Sequence, residues 1–320
     1  MNLELHRSSI LLVLVAILVP TAIPVSLAAQ VASALQPKRI VGYLPDYRLD
    51  QLNSIDFSKV TNVIYFALRS DSAGNLIGTS AYIDGLPGVV STAHAKGAKV
   101  STCVGPKSDF RPMASSPIAR ANFIGQLVSF ALKHNLDGVD LDWESVAGAD
   151  VSNYSTLIEE LKTSLNQHGL LLSIASSASH QDIEAWAADY LDFISVMAYD
   201  MNYPHANHST YRDSVAAMTR WANYGVAKSK LLMGLPFYGR NETSSKKYAQ
   251  IVDQYNLNDP NVDCVATYCF NGINTVKSKT AYAYDAGYGG VMIWELGQDK
   301  YDSRSLLSAI ASVPPTMDKS

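Results

Sequence analysis

Beyond residue 38, short runs of Val, Ile, Leu and aromatic residues alternate with longer stretches in which apolar positions recur every three or four residues. That alternation predicts parallel βαβ units, not a sandwich. Eight runs read as strands: 39–44, 59–67, 99–104, 138–143, 170–175, 193–199, 230–235 and 290–294. Between the fourth and fifth, Tyr154, Leu157, Ile158, Leu161 and Leu165 make one apolar stripe at helical spacing, and Gly169 stands where that helix must stop. Eight such units are the number of a (β/α)8 TIM barrel. An open doubly wound sheet is the competing arrangement, but no Gly-x-Gly-x-x-Gly follows the first strand and no phosphate-cradling loop occurs elsewhere. The fold class expected is therefore α/β, a single barrel over residues 35–316 with a short insertion between the seventh and eighth strands.

The pattern before residue 35 differs. His6 and Arg7 precede an unbroken apolar run from Ile10 to Val19, followed by Pro20, Pro24 and Ala-x-Ala-like sites at 26–28 and 32–34. This order predicts a secretory signal peptide over about residues 1–34. The run is about half of what a ~30 Å hydrocarbon core requires, so no stable membrane insertion is expected after its removal, and the mature protein is expected to be secreted. Hydrophobic residues make up 48% of the chain and charged residues 17%, enough apolar material for a large core. A net charge of −4 gives no basic footprint for nucleic acid. In an oxidising compartment Cys264 and Cys269 are close enough to close a small disulfide loop, while Cys103, in an apolar stretch, reads as a buried free thiol.

The chemistry lies on the fourth strand. Residues 136–144 read Leu-Asp-Gly-Val-Asp-Leu-Asp-Trp-Glu, and side chains on a strand alternate with a period of two. Asp140, Asp142 and Glu144 then share the lumen face, and Val139, Leu141 and Trp143 face the covering helices. A covered parallel strand has no solvated face, so an acidic row on it is not surface decoration. Like charges stacked in a confined site raise one another's proton affinity, which keeps a carboxylic acid protonated near neutral pH for general-acid work. The reaction class this suggests is glycoside hydrolysis.

Here the sequence resembles glycoside hydrolase family 18, the chitinases and their relatives: Asp137, Asp140, Asp142 and Glu144 match the family's Asp-x-x-Asp-x-Asp-x-Glu signature. Gly42-Tyr43, Tyr65-Phe66, Met197-Ala198-Tyr199-Asp200, Pro236-Phe237-Tyr238-Gly239-Arg240 and Met292-Ile293-Trp294 look like its other motifs. The third strand departs from the family's Ser-x-Gly-Gly-like turn, ending instead in Ser101-Thr102-Cys103-Val104-Gly105-Pro106. The resemblance implies that Glu144 is the acid and then the base, and that the substrate's own 2-acetamido oxygen, not a second carboxylate, attacks the anomeric carbon. It further implies that Asp142 orients the acetamido N–H, that Asp140 shares a proton with Asp142, and that Tyr199 donates to the acetamido oxygen. Tyr43, Phe66, Met197, Asp200, Tyr238, Arg240 and Trp294 would hold the sugars. Singly, Trp294 and Phe66 fit barrel core, and Arg240 fits a surface position beside the Asn241 sequon; only their joint recurrence at strand ends favours a site.

On this reading the partners are chitin or N-acetylglucosamine oligosaccharides, a monomer is expected, and no cofactor is required. No metal is expected either, since His180, His205 and His208 lack ligand spacing. Only 48 residues separate Arg240 from Gly289, which implies a trimmed insertion, a shallow groove and endo-type cleavage. Two alternatives stay open: an endo-β-N-acetylglucosaminidase acting on the N-glycan core, and a non-catalytic chitin-binding lectin on the same fold. Glu144 and its three aspartates argue against the lectin.

Overall fold

The computed structural model describes residues 38–202 and 205–315. The signal peptide expected over residues 1–34, and both ends of the expected 35–316 domain, lie outside them. Eight parallel strands, β1 (Arg39–Pro45), β2 (Asn62–Ser70), β3 (Lys99–Val104), β4 (Gly138–Asp142), β5 (Leu171–Ser177), β6 (Phe193–Met197), β7 (Leu231–Pro236) and β8 (Gly290–Trp294), follow one another around one sheet. β1 pairs with both β2 and β8, Val41 lying opposite Asn62 on one side and Met292 on the other, which closes the barrel.

Alternation along each strand sorts side chains into two cores. Val63, Tyr65, Val139, Leu141, Ile194, Val196, Val291 and Ile293 pack outward into one large cluster under the helices. Val41, Tyr43, Ile64, Cys103, Phe193, Leu232 and Met292 fill the lumen as a second, smaller one. The helices are α1 (Ser80–His94), α2 (Phe110–Ser115), α3 (Pro117–Lys133), α4 (Val151–Asn166), α5 (Tyr211–Asn223), α6 (Tyr248–Gln254), α7 (Ile273–Asp285) and α8 (Leu306–Ala311). Side-chain caps start several of them: Thr79 accepts from Tyr82 N, Ser116 from Ala119 N with Pro117 next, and Thr210 from Asp213 N. The expected stripe on α4 is fully buried, and Gly169, at φ +68°, turns the chain toward β5.

The pattern misjudged some borders. Lys59 belongs to a 3-10 turn (Phe57–Lys59) capped by Asp56, so β2 starts at Asn62 and runs to Ser70. β5 and β6 are joined by a 3-10 turn (Ala185–Tyr190) instead of an α-helix; Ile183, Ala187, Ala188 and Leu191 bury enough apolar surface to cover the wall there. β4 stops at Asp142 and β6 at Met197, so Glu144, Tyr199 and Asp200 stand just past the strand ends. Between β7 and β8, segments Tyr238–Arg240, Ser245–Lys247, Cys264–Val265 and Tyr268–Cys269 form a small antiparallel sheet. Cys264 and Cys269 are joined in a disulfide and Cys103 is a buried free thiol, as the sequence suggests. Among the described residues no helix is long and apolar enough to cross a membrane.

Candidate active site

The acidic row is built as a gradient from closed to open. Asp140 is fully buried: its Oδ2 accepts from Tyr43 Oη at 2.8 Å and its Oδ1 from Ser173 Oγ at 2.5 Å, which ties β1, β4 and β5 together inside the lumen. Burial pushes its carboxyl above the usual range, while Ser173, Tyr43 and Cys103 pull the other way by hydrogen bonding to the ionised form. Asp142, the next inward residue, is also buried, and its Oδ1 has no hydrogen-bond partner among the described residues. Burial, then the charges of Glu144 and Asp140, raise it well above an ordinary aspartate. Glu144 opens to solvent at the rim, yet the surrounding walls partly desolvate it. That desolvation raises its carboxyl, as do the charges of Asp182 and Asp200, against a hydrogen bond with Asp142 that lowers it. The two acids therefore titrate as a pair.

Asp137, first in the motif, is out of phase with the row and lies at the strand's start. Its Oδ2 accepts from Val100 N at 2.7 Å and meets His94 Nε2 at 2.7 Å, which pins β3 and α1 instead of serving the cleft.

Glu144, Ser177, His180, Asp182, Met197, Tyr199 and Asp200 line one cleft. The strand ends of β1, β2 and β8 bring together Tyr43, Phe66 and Trp294, with Trp294 5.5 Å from Tyr43 and 5.0 Å from Phe66 between ring centroids. Tyr199 packs edge-on to Tyr238 at 6.2 Å, and its hydroxyl points to Met292 Sδ at 3.9 Å. Asp200 sits at φ +55°, with Arg240 Nε at 2.6 Å and His208 Nδ1 at 3.0 Å. Burial alone would raise its carboxyl, but His208, Arg240 and Tyr238 together hold it below the usual range. Of the expected site residues, Glu144, Met197, Tyr199 and Asp200 line this cleft, Asp140 and Asp142 lie buried beneath it, Tyr43, Phe66 and Trp294 form the aromatic group, and Tyr238 and Arg240 pack on Tyr199 and Asp200.

Several supporting residues carry no sequence signature. Lys279 of α7 is fully buried and donates to Ser209 O (2.9 Å), Ser209 Oγ (2.9 Å) and Asn271 Oδ1 (2.6 Å). Ser209 Oγ in turn donates to Ala198 O at 2.7 Å, so Lys279 braces the segment that carries His208 against Asp200. Glu295, also buried, accepts from Arg48 Nε at 2.7 Å and Gly297 N at 2.8 Å and anchors the backbone just past Trp294.

Comparison with known proteins agrees with this geometry. The profile of the glycosyl hydrolases family 18 matches residues 39–299. The chain is similar to a probable chitinase 10 of Drosophila melanogaster, 26% identical over 296 residues, 68% of this chain and 13% of that protein. It spans between 13% and 42% of the length of three such curated relatives. Among solved structures it is similar to the GH18 chitinase ChiB from the chitin utilization locus of Flavobacterium johnsoniae, at TM-score 0.78 and 28% identity, covering 86% of this chain and 93% of that one. In fold it also matches a class V chitinase mutant from Nicotiana tobaccum in complex with NAG4, at TM-score 0.76 and 22% identity, covering 86% and 99%. With its barrel closed around the acidic row and the match running almost from β1 to the end of the site, the chain belongs to glycoside hydrolase family 18, the family of chitinase-type glycosidases.

Proposed function

We propose that the protein is a secreted glycosidase that cleaves β-1,4 bonds between N-acetylglucosamine units of chitin or chito-oligosaccharides, in endo fashion and with retention. The observation that carries this reading is the pairing of a buried, unpartnered acceptor, Asp142 Oδ1, with a protonatable acid, Glu144, opening to the cleft beside it. Glu144 protonates the glycosidic oxygen as the bond to the anomeric carbon breaks. The substrate's acetamido oxygen closes on that carbon, and Asp142 takes the acetamido N–H as positive charge develops. Glu144, now a carboxylate, removes a proton from the water that opens the ring, which restores its acid form. Tyr199 supplies a hydroxyl toward the acetamido oxygen, Tyr43, Phe66 and Trp294 offer apolar planes to the sugar, and Met197, Asp200, Tyr238 and Arg240 frame the bond being cut. The intact acidic row favours this activity over a lectin.

Incubation with soluble chitin oligomers and, separately, with a high-mannose glycoprotein tests the reading by product identification. Shortened N-acetylglucosamine oligomers are expected from the first and no release from the second. Glycan release without oligomer cleavage would move the substrate to the N-glycan core, and binding without any product would make the protein a lectin.

A further inference from the structure

Another carboxylate, from outside the motif, lines the cleft of the acid. Asp182 lies just past β5, on the wall across the barrel from Tyr43 and Trp294, is 3% exposed, and lines the same cleft as Glu144. It is clamped: Oδ2 accepts from Ser176 Oγ at 2.6 Å and Ser177 N at 2.8 Å. Its Oδ1 is buried without an aligned hydrogen bond, 3.0 Å from the Nε2 of His180, whose ring is half exposed at the cleft mouth.

The charged groups around Glu144 divide by how they are neutralised. Asp142, from β4, shares the proton of the pair. Asp200, after β6, is met by the Arg240 guanidinium and the His208 ring. Asp182, after β5, meets neither lysine nor arginine among the described residues; its one ionisable partner is the His180 imidazole. Tyr199 and Tyr238 complete the wall as neutral hydroxyls raised by burial.

We propose that Asp182 is a positioning residue for the hydrolysis, a clamped carboxylate on the neighbouring wall of the same cleft that keeps Glu144 in its proton-carrying form for the first step. The proposal rests on Glu144 being the general acid. Its physical basis is like-charge repulsion in a partly desolvated cleft: a second carboxylate that cannot swing away makes ionisation of the first less favourable. The same charge bears on Asp142 in the same direction. His180 adds a handle, because a cation at that position offsets Asp182.

The test is the pH dependence of kcat/KM on a soluble chitin oligomer. Asp182→Asn keeps an acceptor for Ser177 N and removes the charge, so the alkaline limb is expected to move to lower pH by roughly one unit, the scale on which neighbouring charges shift groups in folded proteins. His180→Lys changes a half-exposed side chain, leaves the clamp on Oδ2 intact, and is expected to move the same limb the same way; it keeps the test open if Asp182→Asn does not fold. Asp182→Glu should restore the wild-type limb. An alkaline limb that stays in place in both Asp182→Asn and His180→Lys overturns the proposal and reduces Asp182 to a brace for the β5 loop. Glu144→Gln, run alongside, separates the two readings: if it remains active, the assignment of the acid fails; if it is inactive while the limbs do not move, only the role of Asp182 fails.

Discussion

At the scale of single residues, the row on β4 assigns different work to four acids of one motif. On the proposed mechanism Glu144 holds the transferable proton, so Glu144→Gln is expected to lose about 10²–10⁴-fold or more in turnover while oligosaccharide affinity stays near wild type. Isothermal titration beside a rate assay checks both halves, and a variant retaining more than about a tenth of the rate would refute the assignment. Asp140 is tied to Tyr43 and Ser173, and on the proposed mechanism it acts through Asp142; Asp140→Asn is then expected to displace the acid limb of the pH–rate profile, because the buried acids titrate together. Asp137 belongs to the motif in sequence but not to the cleft. Asp137→Ala is expected to cost about 1–3 kcal/mol of stability, by freeing the buried-edge N–H of Val100, and to leave the rate per folded molecule nearly unchanged. Urea unfolding with activity normalised to folded protein would show it, and a collapse of rate at full folding would place Asp137 in the chemistry instead.

At the scale of elements, what the sequence reveals follows from what repeats. Period two on β4 exposes the acidic row, and helical spacing exposes α4, because a buried face demands the same residue class at each recurrence. Lys279 and Asp182 follow no period. A lysine on a helix such as α7 reads as solvated, and the burial of Lys279 depends on Ser209 and Asn271, which arrive from other elements. The β5–β6 crossover reads as a helix by position in the series, yet a 3-10 turn suffices there because its small residues pack closely. Lys279 also yields a pH prediction. Burial lowers its ammonium from 10.5 to about 7 in the fold. Between those values the unfolded chain binds a proton that the fold does not, so this group makes stability rise with pH across the window, by at most about 5 kcal/mol. Below pH 7 both states carry the proton and the contribution is flat. Urea unfolding from pH 7 to 10 should show a positive component that disappears in Lys279→Met; equal slopes in the two proteins would contradict it.

At the scale of the whole molecule, the assembled cleft predicts stereochemistry. In the proposed mechanism, attack by the acetamido oxygen and then by water inverts the anomeric carbon twice, so the first product is expected as the β anomer. A two-carboxylate enzyme would also retain, and partly deacetylated chitosan discriminates: bonds preceded by N-acetylglucosamine are expected to be cut and those preceded by glucosamine left intact. Time-resolved NMR and sequencing of the new reducing ends decide it, and an α anomer appearing first, or glucosamine abundant at those ends, overturns the mechanism. The sealing of the barrel by β1 against β8 has its own consequence during synthesis. Tyr43 is among the first site residues to leave the ribosome and Trp294 the last, so a nascent chain halted between Glu144 and β8 carries the whole acidic motif yet cannot bring Tyr43 and Trp294 together around it. The active pocket is a property of the finished chain, and translation itself withholds it until the final strand has emerged.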